Sequence, residues 1–213
     1  MGLVFPLGEW LLLSLGFLAW MEWPCFHIEK GLRMIPLAWV LGWIVEHNVA
    51  FSPPWDWHFP RIFVLITLTL VAWKKTEERK YPGILLASFC LVAQDLFVLN
   101  EPGIFAYEQW LFAGFFVAVA FFSTRSQWGM IATLGGGMLI SMASTVFLFD
   151  GVVRYYTIPN AFLWHFSIGA CAIIAVLREV REHYQTRKAL SLLPMAAPQE
   201  SQGEEGSVYR KDD

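Results

Sequence analysis

The sequence predicts an all-α integral membrane protein: a bundle of seven transmembrane helices with the N-terminus outside and the C-terminus in the cytoplasm. Three observations lead there. Of 213 residues, 56% are hydrophobic and only 15% charged, with a mean hydropathy of +0.48. A soluble domain carries roughly a quarter charged residues, and one of this size has no core large enough to hide so many apolar side chains. Second, apolar stretches close to the ~20 residues needed to cross a ~30 Å hydrocarbon core follow one another along the chain, separated by charged or Pro/Gly-marked breaks. Third, drawing seven spans puts all of the 15 basic residues except Arg61 and Arg154 on one side. The positive-inside bias makes that side cytoplasmic, and removing a span would scatter these charges over both faces.

The stretches run roughly over residues 3–23, 34–51, 55–73, 81–99, 104–123, 128–149 and 159–177. The first lacks the basic flank and small-residue cleavage site of a signal peptide and is expected to stay on the mature protein. In the third, the uninterrupted apolar part "IFVLITLTLVAW" is short. It reaches spanning length by taking in "WDWHFPR", with Trp55 and Trp57 in the interfacial aromatic belt and Pro60 opening the helix; a re-entrant segment is the rival reading. Together the stretches make a transmembrane domain over 1–177. "LREVREHYQTRKALSLL" then predicts a juxtamembrane helix over 178–193, its Arg and Lys drawn to anionic head groups. From 194 to 213 the apolar content is too low for a packed structure, which predicts a disordered tail. No internal repeat is present, which argues against an inverted-repeat transporter.

Within this frame "GWIVEHNVAF" places Glu46, His47 and Asn48 side by side in an apolar run. At ~1.5 Å per residue from the outer end of each span, Glu9, Glu46, Asp95, Glu108 and His165 fall roughly 6 to 9 Å below the outer surface, forming one polar layer. Small residues recur on the same helical faces: Ala38, Gly42, Glu46 and Ala50; Gly83, Ala87, Cys90 and Gln94; Gly129, Thr133, Gly137, Ser141 and Thr145; and Ala161, His165 and Gly169. Small faces are where membrane helices approach one another, so Glu46, Gln94 and His165 are expected to point inward. Glu46, His47, Gln94, Asp95 and His165 are the candidate ligand-binding residues. Glu46 and His165 are expected to share one interior site open to the outside, with Gln94 and Asp95 contributing from the fourth helix. The plainer alternative is that these groups only hydrogen-bond across helices and fix the packing.

Chemistry beyond binding has little support in the residues. Cys25, Cys90 and Cys171 lie far apart with no zinc-site spacing, HExxH and GxSxG are absent, and no catalytic residue, metal or cofactor is expected. His47 and His165 would have to meet across the bundle to hold a haem or metal, with nothing to orient them. "KKTEERK" is read as a topology signal, and "SPPWDWHF" as an interfacial anchor with a lid or docking surface as the alternative. The expected surroundings are the lipid bilayer and a membrane-protein partner or second copy, with no nucleic acid.

Residues 103–142, "GIFAYEQWLFAGFFVAVAFFSTRSQWGMIATLGGGMLISM", resemble the YphA-like proteins, small multi-spanning membrane proteins of spore-forming bacteria. The resemblance lies in a tryptophan-bearing helix after an acidic residue (Glu108, Trp110, Ala113, Gly114), a short turn with Arg125, and a Gly/Ser-rich helix that follows. It implies a bacterial cytoplasmic membrane and carries over no catalytic residue. The expected function is therefore that of a multi-pass membrane protein, probing a small ligand, cation or proton through its polar layer as a sensor or transporter component. An assembly partner of another membrane protein is the second reading and an intramembrane enzyme the third.

Overall fold

The structure, a computed structural model, describes residues 7–21, 30–49, 54–76, 81–100, 107–124 and 126–192. The predicted tail, Cys25, Ala50 and much of the basic inner loops lie outside the described residues. The described part is mostly helical. In chain order it contains α1 (Leu7–Trp20), a short 3-10 turn (Lys30–Arg33), α2 (Met34–Asn48), β1 (Trp55–Trp57), α3 (Phe59–Lys75), α4 (Tyr81–Asn100), α5 (Glu108–Ser123), α6 (Gln127–Phe149), β2 (Tyr156–Ile158) and α7 (Ala161–Leu192). The chain divides into two compact units, one ending at Ile174 and one beginning at Ala175. In the second, the described residues are the last turns of α7, with Val176, Val180 and Tyr184 exposed.

Each predicted apolar stretch holds one helix, and several helices are shorter than the stretch. Two are long and apolar enough to cross a membrane, α4 over Tyr81–Val98 and α6 over Gln127–Phe149. Gly8–Trp20, Glu108–Ser123 and Ala161–Val176 are apolar but shorter. The third stretch needs a correction. Its helix begins at Phe59, with Pro60 in the first turn, and the preceding Trp55–Trp57 are extended. Proline fixes its own φ in the helical range and lacks only an N–H that the first turn leaves unpaired anyway, so the helix opens around Pro60, as expected, and the tryptophans stay in the extended segment before it.

α6 forms the centre. It packs against α3, α4 and α5, while α2 lies on α3 and α1 on α2. From Ala132 to Met138 every residue of α6 is buried. The run Gly135–Gly136–Gly137 makes this possible. A Cβ on Gly135 would run into Thr69 of α3, one on Gly136 into Ile84 of α4, and one on Gly137 would stand 2.8 Å from the Cβ of Ala87. With hydrogen in place of side chains, two neighbouring helices approach one backbone from different sides. The expected stripe Gly129, Thr133, Gly137, Ser141 and Thr145 is buried throughout. On α7 the expected face is displaced: Leu163, Trp164 and Ser167 are buried, whereas Ala161, His165 and Gly169 are only half-buried and a Cβ on Gly169 would meet nothing within 4 Å. The bulky Trp164 takes the interior there, filling by volume what the other helices fill by close approach.

The outside of the bundle is apolar as well. Phe89, Phe122 and Phe147 are 70%, 84% and 86% exposed, and α2 turns outward Leu37, Val40, Leu41, Trp43 and Ile44. Most hydroxyls on the helices are satisfied within their own helix: those of Thr67, Thr69, Thr76 and Thr124 donate to the carbonyl four residues back. This is the local solution when no water is at hand.

β1 and β2 form a two-stranded parallel ribbon with Trp55 opposite Tyr156, Asp56 opposite Thr157 and Trp57 opposite Ile158. Tyr156 N–H donates to Pro54 O and His58 N–H to Ile158 O. Side chains alternate along a strand, and they do so here. Tyr155 and Thr157 turn to the Asp56 carboxylate, at 2.7 and 3.4 Å, whereas Tyr156 turns the other way into the bundle.

The α2–α3 contact gives a direct test. A Cβ on Gly42 would lie 2.5 to 2.6 Å from Pro60 Cα, Pro60 N and Phe59 O, all backbone atoms that cannot swing aside. Gly42→Ala is expected to cost about 1–3 kcal/mol through overpacking, read as a lower midpoint of denaturant unfolding in detergent. Gly114→Ala, where nothing lies within 4 Å, serves as the control and should leave the midpoint in place.

Candidate functional site

The polar layer resolves into three separate places, each built where a helix end meets a neighbouring element. The first joins α1, α3 and α7. Arg61 Nε donates to Glu9 Oε1 at 2.6 Å, and both side chains are largely buried. The neighbouring N–H of Gly8, in the first turn of α1, donates to Nδ1 of His165 at 3.2 Å. The first N–H groups of a helix have no partner within it, so the imidazole serves as a cap supplied from another helix. Accepting at Nδ1 requires the tautomer that carries its proton on Nε2.

The second place joins α2 to the start of α3. Glu46 Oε1 stands 3.7 Å from His58 Nδ1, with both side chains more than a third exposed. His47, one residue on, is exposed and rests its ring 4.6 Å from that of Trp43. Glu108 opens α5 beside Tyr107.

The third place is a cavity. Asp95 on α4 accepts a hydrogen bond at Oδ2 from Thr145 of α6, at 2.8 Å, and one at Oδ1 from Tyr156 of β2, at 3.0 Å. Beside the carboxylate lies a partly open cavity of about 30 Å³ whose polar lining includes Gln94, Asp95, Ser141, Thr145 and Tyr156, with Met138 and Leu163 among the apolar groups. That volume has room for about two waters, or for one small ion with a water. Asn160, at the rim, is held in place by capping α7: its Oδ1 accepts from the N–H groups of Phe162 and Leu163. Ser and Asn in such positions fix where a helix begins, and here the cap fixes the segment that carries Tyr156.

Of the sequence candidates, Gln94 and Asp95 are together at this cavity, and Glu46, His47 and His165 are elsewhere. The expectation of one interior site shared by Glu46 and His165 is corrected accordingly: Glu46 is taken up by His58, and His165 by the N-terminus of α1. The physical reason is that depth alone groups residues by level, whereas lateral position is set by which helices touch. Sequence reasoning missed the partners Arg61, His58 and Tyr156, which all come from segments outside the apolar cores of the spans, and Thr145 was seen only as part of a small-residue stripe. "WDWHFPR" held a usable signal, since an Arg and a His just outside a span at the level of the acidic layer are natural counter-charges for it.

Asp95 differs from the other layer carboxylates in its electrostatics. Glu9 has Arg61, and Glu46 has His58 3.7 Å from one of its oxygens. Asp95 has two hydroxyls and, among the described residues, no basic partner. Its charge acts on Tyr156: burial, reinforced by the Asp95 carboxylate and its hydrogen bond, pushes the phenol well above the ordinary tyrosine value near 10. Among the described residues no three His, Cys, Asp or Glu side chains come together as a transition-metal site. Compared with protein-family models, with curated protein sequences and with solved structures, the chain finds no match in any of the three.

Two measurements check this geometry. Arg61→Met strands Glu9 in a mostly apolar setting and is expected to cost up to about 3 kcal/mol, while adding Glu9→Leu should recover most of it, because breaking one half of a buried pair costs more than replacing both. Unfolding midpoints of the two single variants and the double variant give the answer. For Tyr156, a folded pKa above the unfolded value means that its contribution to stability is complete below pH ~10 and declines as pH rises beyond it. Alkaline titration at 295 nm should show one tyrosine ionising later than the others, and Tyr156→Phe should remove that late step; a titration unchanged by the substitution would contradict the assignment.

Proposed function

We propose that this is a non-enzymatic multi-pass membrane protein, seven helices crossing with the N-terminus outside, in which Asp95 and its cavity bind a proton or small cation from the external side as part of a sensor or transporter. The observation that carries the reading is the Asp95 carboxylate itself: desolvated by its surroundings, without a basic partner among the described residues, and facing a small cavity lined by oxygen-bearing side chains. A carboxylate in a low-dielectric bundle is costly unless its charge is matched, and the proposed ligand supplies the match.

Membrane placement is supported by two apolar helices of spanning length and by the large aromatic and aliphatic side chains turned outward on α2, α4, α5 and α6, a surface that water would not tolerate and lipid would. Spans shorter than the bilayer core are accommodated by local thinning and by interfacial residues at their ends; Trp10, Trp20, Tyr81, Tyr107 and Trp110 are exposed at helix ends and suit that role. The YphA-like resemblance of residues 103–142 points to the same setting, a bacterial cytoplasmic membrane.

The experiment has two parts. Cysteines replacing Asn100 and Asp150, both exposed at helix ends, should react in intact cells with an impermeant thiol reagent, and one replacing Lys74 should react only after permeabilisation; the reverse pattern would invert the topology and place the cavity on the inner side. Infrared difference spectra of wild type and Asp95→Asn should then reveal a carboxyl band, lost in the variant, that responds to external pH or salt. A band that responds to neither would leave Asp95 as a packing residue and end the binding reading.

A further inference from the structure

Resting on that reading, we infer that the ligand of the Asp95 cavity is a small monovalent cation, of the class of sodium, bound as the counter-ion of an ionised carboxylate. Four observations lead to it. The hydrogen bonds come first. Thr145 and Tyr156 donate to different oxygens of Asp95, and hydrogen bonds donated to both oxygens favour the ionised carboxylate. The charge comes next. One carboxylate provides one negative charge, and of the other acidic groups of the layer Glu9 is paired with Arg61 while Glu46 and Glu108 are not in the lining of this cavity. Divalent ions are held by several carboxylates or keep most of their water, and neither condition is met in this cavity.

The donor atoms are the third observation. Having given their protons to Asp95, the hydroxyl oxygens of Thr145 and Tyr156 keep lone pairs, and Ser141 and Gln94, which also bear oxygens, are among the lining residues. Hard oxygen donors suit hard cations and give little to softer metals. The fourth is size: about 30 Å³ holds a bare ion with a single water and excludes an organic cation. Tyr156 has a second part to play. With Ile158 on the same inward face of β2, it links occupancy of the cavity to the β1–β2 ribbon, so binding would tighten the ribbon against the bundle.

The test is titration of the purified full-length protein in detergent with sodium chloride against choline chloride at constant ionic strength and fixed pH. Expected are a sodium-dependent rise in melting temperature and a shift of the Asp95 carboxylate infrared band, both saturating and both absent in Asp95→Asn. Thr145→Val should weaken the apparent sodium affinity roughly tenfold. Tyr156→Phe, which keeps the ring and loses one oxygen, should weaken it also and provides the second variant should Thr145→Val fold poorly. Tyr156 is the one titratable group among the described residues seen facing Asp95, from β2, while α6 presents Thr145 and α7 the apolar Leu163. Acid should therefore compete with sodium for a single carboxylate. A band that follows pH but ignores sodium would overturn the cation inference and leave the proton form of the proposed function standing. A band indifferent to both would overturn the two together.

Discussion

The close approach of α3 and α4 to a glycine backbone on α6 is the constraint on which the remaining structure depends. In lipid, the setting proposed above, helices would gain nothing from hiding apolar surface, and their association would rest on dispersion contacts and on the few polar bonds between them. Dispersion falls steeply with distance, and only a backbone without side chains brings two neighbours close enough on both sides. Gly135, Gly136 and Gly137 provide it. Because α4 is thereby held against α6, Asp95 of one helix and Thr145 of the other meet two to three turns farther along, at hydrogen-bonding distance. The polar junction is thus a consequence of a packing choice made several residues away.

Polar side chains in this bundle follow two regimes. Most of the threonines return their hydroxyl to their own helix and take no part in tertiary structure. The ionisable groups cannot do so, because a helix has no spare donor for a carboxylate except at its N-terminus. They are matched from outside the spans, by Arg61, His58 and the β2 strand. The result is a division of labour in which apolar segments set distances between helices and the segments at their ends supply the chemistry.

That division explains what the sequence could convey. Hydropathy was enough to place seven helices along the chain, and the four-residue spacing of small side chains was enough to identify the buried faces of α2, α4 and α6. Gln94 was recognisable as inward-facing for the same reason, and Asp95 as its neighbour one position round. The lateral arrangement was not readable: Glu46 and His165 share a depth, but nothing in their own helices states that one faces His58 and the other the start of α1. The segment 55–57 was placed ahead of the helix that Pro60 opens, but its strand character was not readable, since its partner at 156–158 lies about a hundred residues away, beyond the reach of any local pattern. Tyr156, the residue that closes the cavity, was hidden by the same long separation.

The β1–β2 ribbon has a bearing on how the protein comes into being. Its two strands stand on either side of α3, α4, α5 and α6 in the chain, so during synthesis the first strand must wait, unpaired, until four helices have been made and the second emerges. Contacts between such distant segments form late, because the entropy of closing the loop must be met before they contribute anything. Until that moment Asp56 has neither Tyr155 nor Thr157, and Asp95 has Thr145 but not Tyr156. Completion of the ribbon therefore records that the intervening helices have reached their places, and the carboxylate at the centre acquires its last ligand only in a correctly finished molecule.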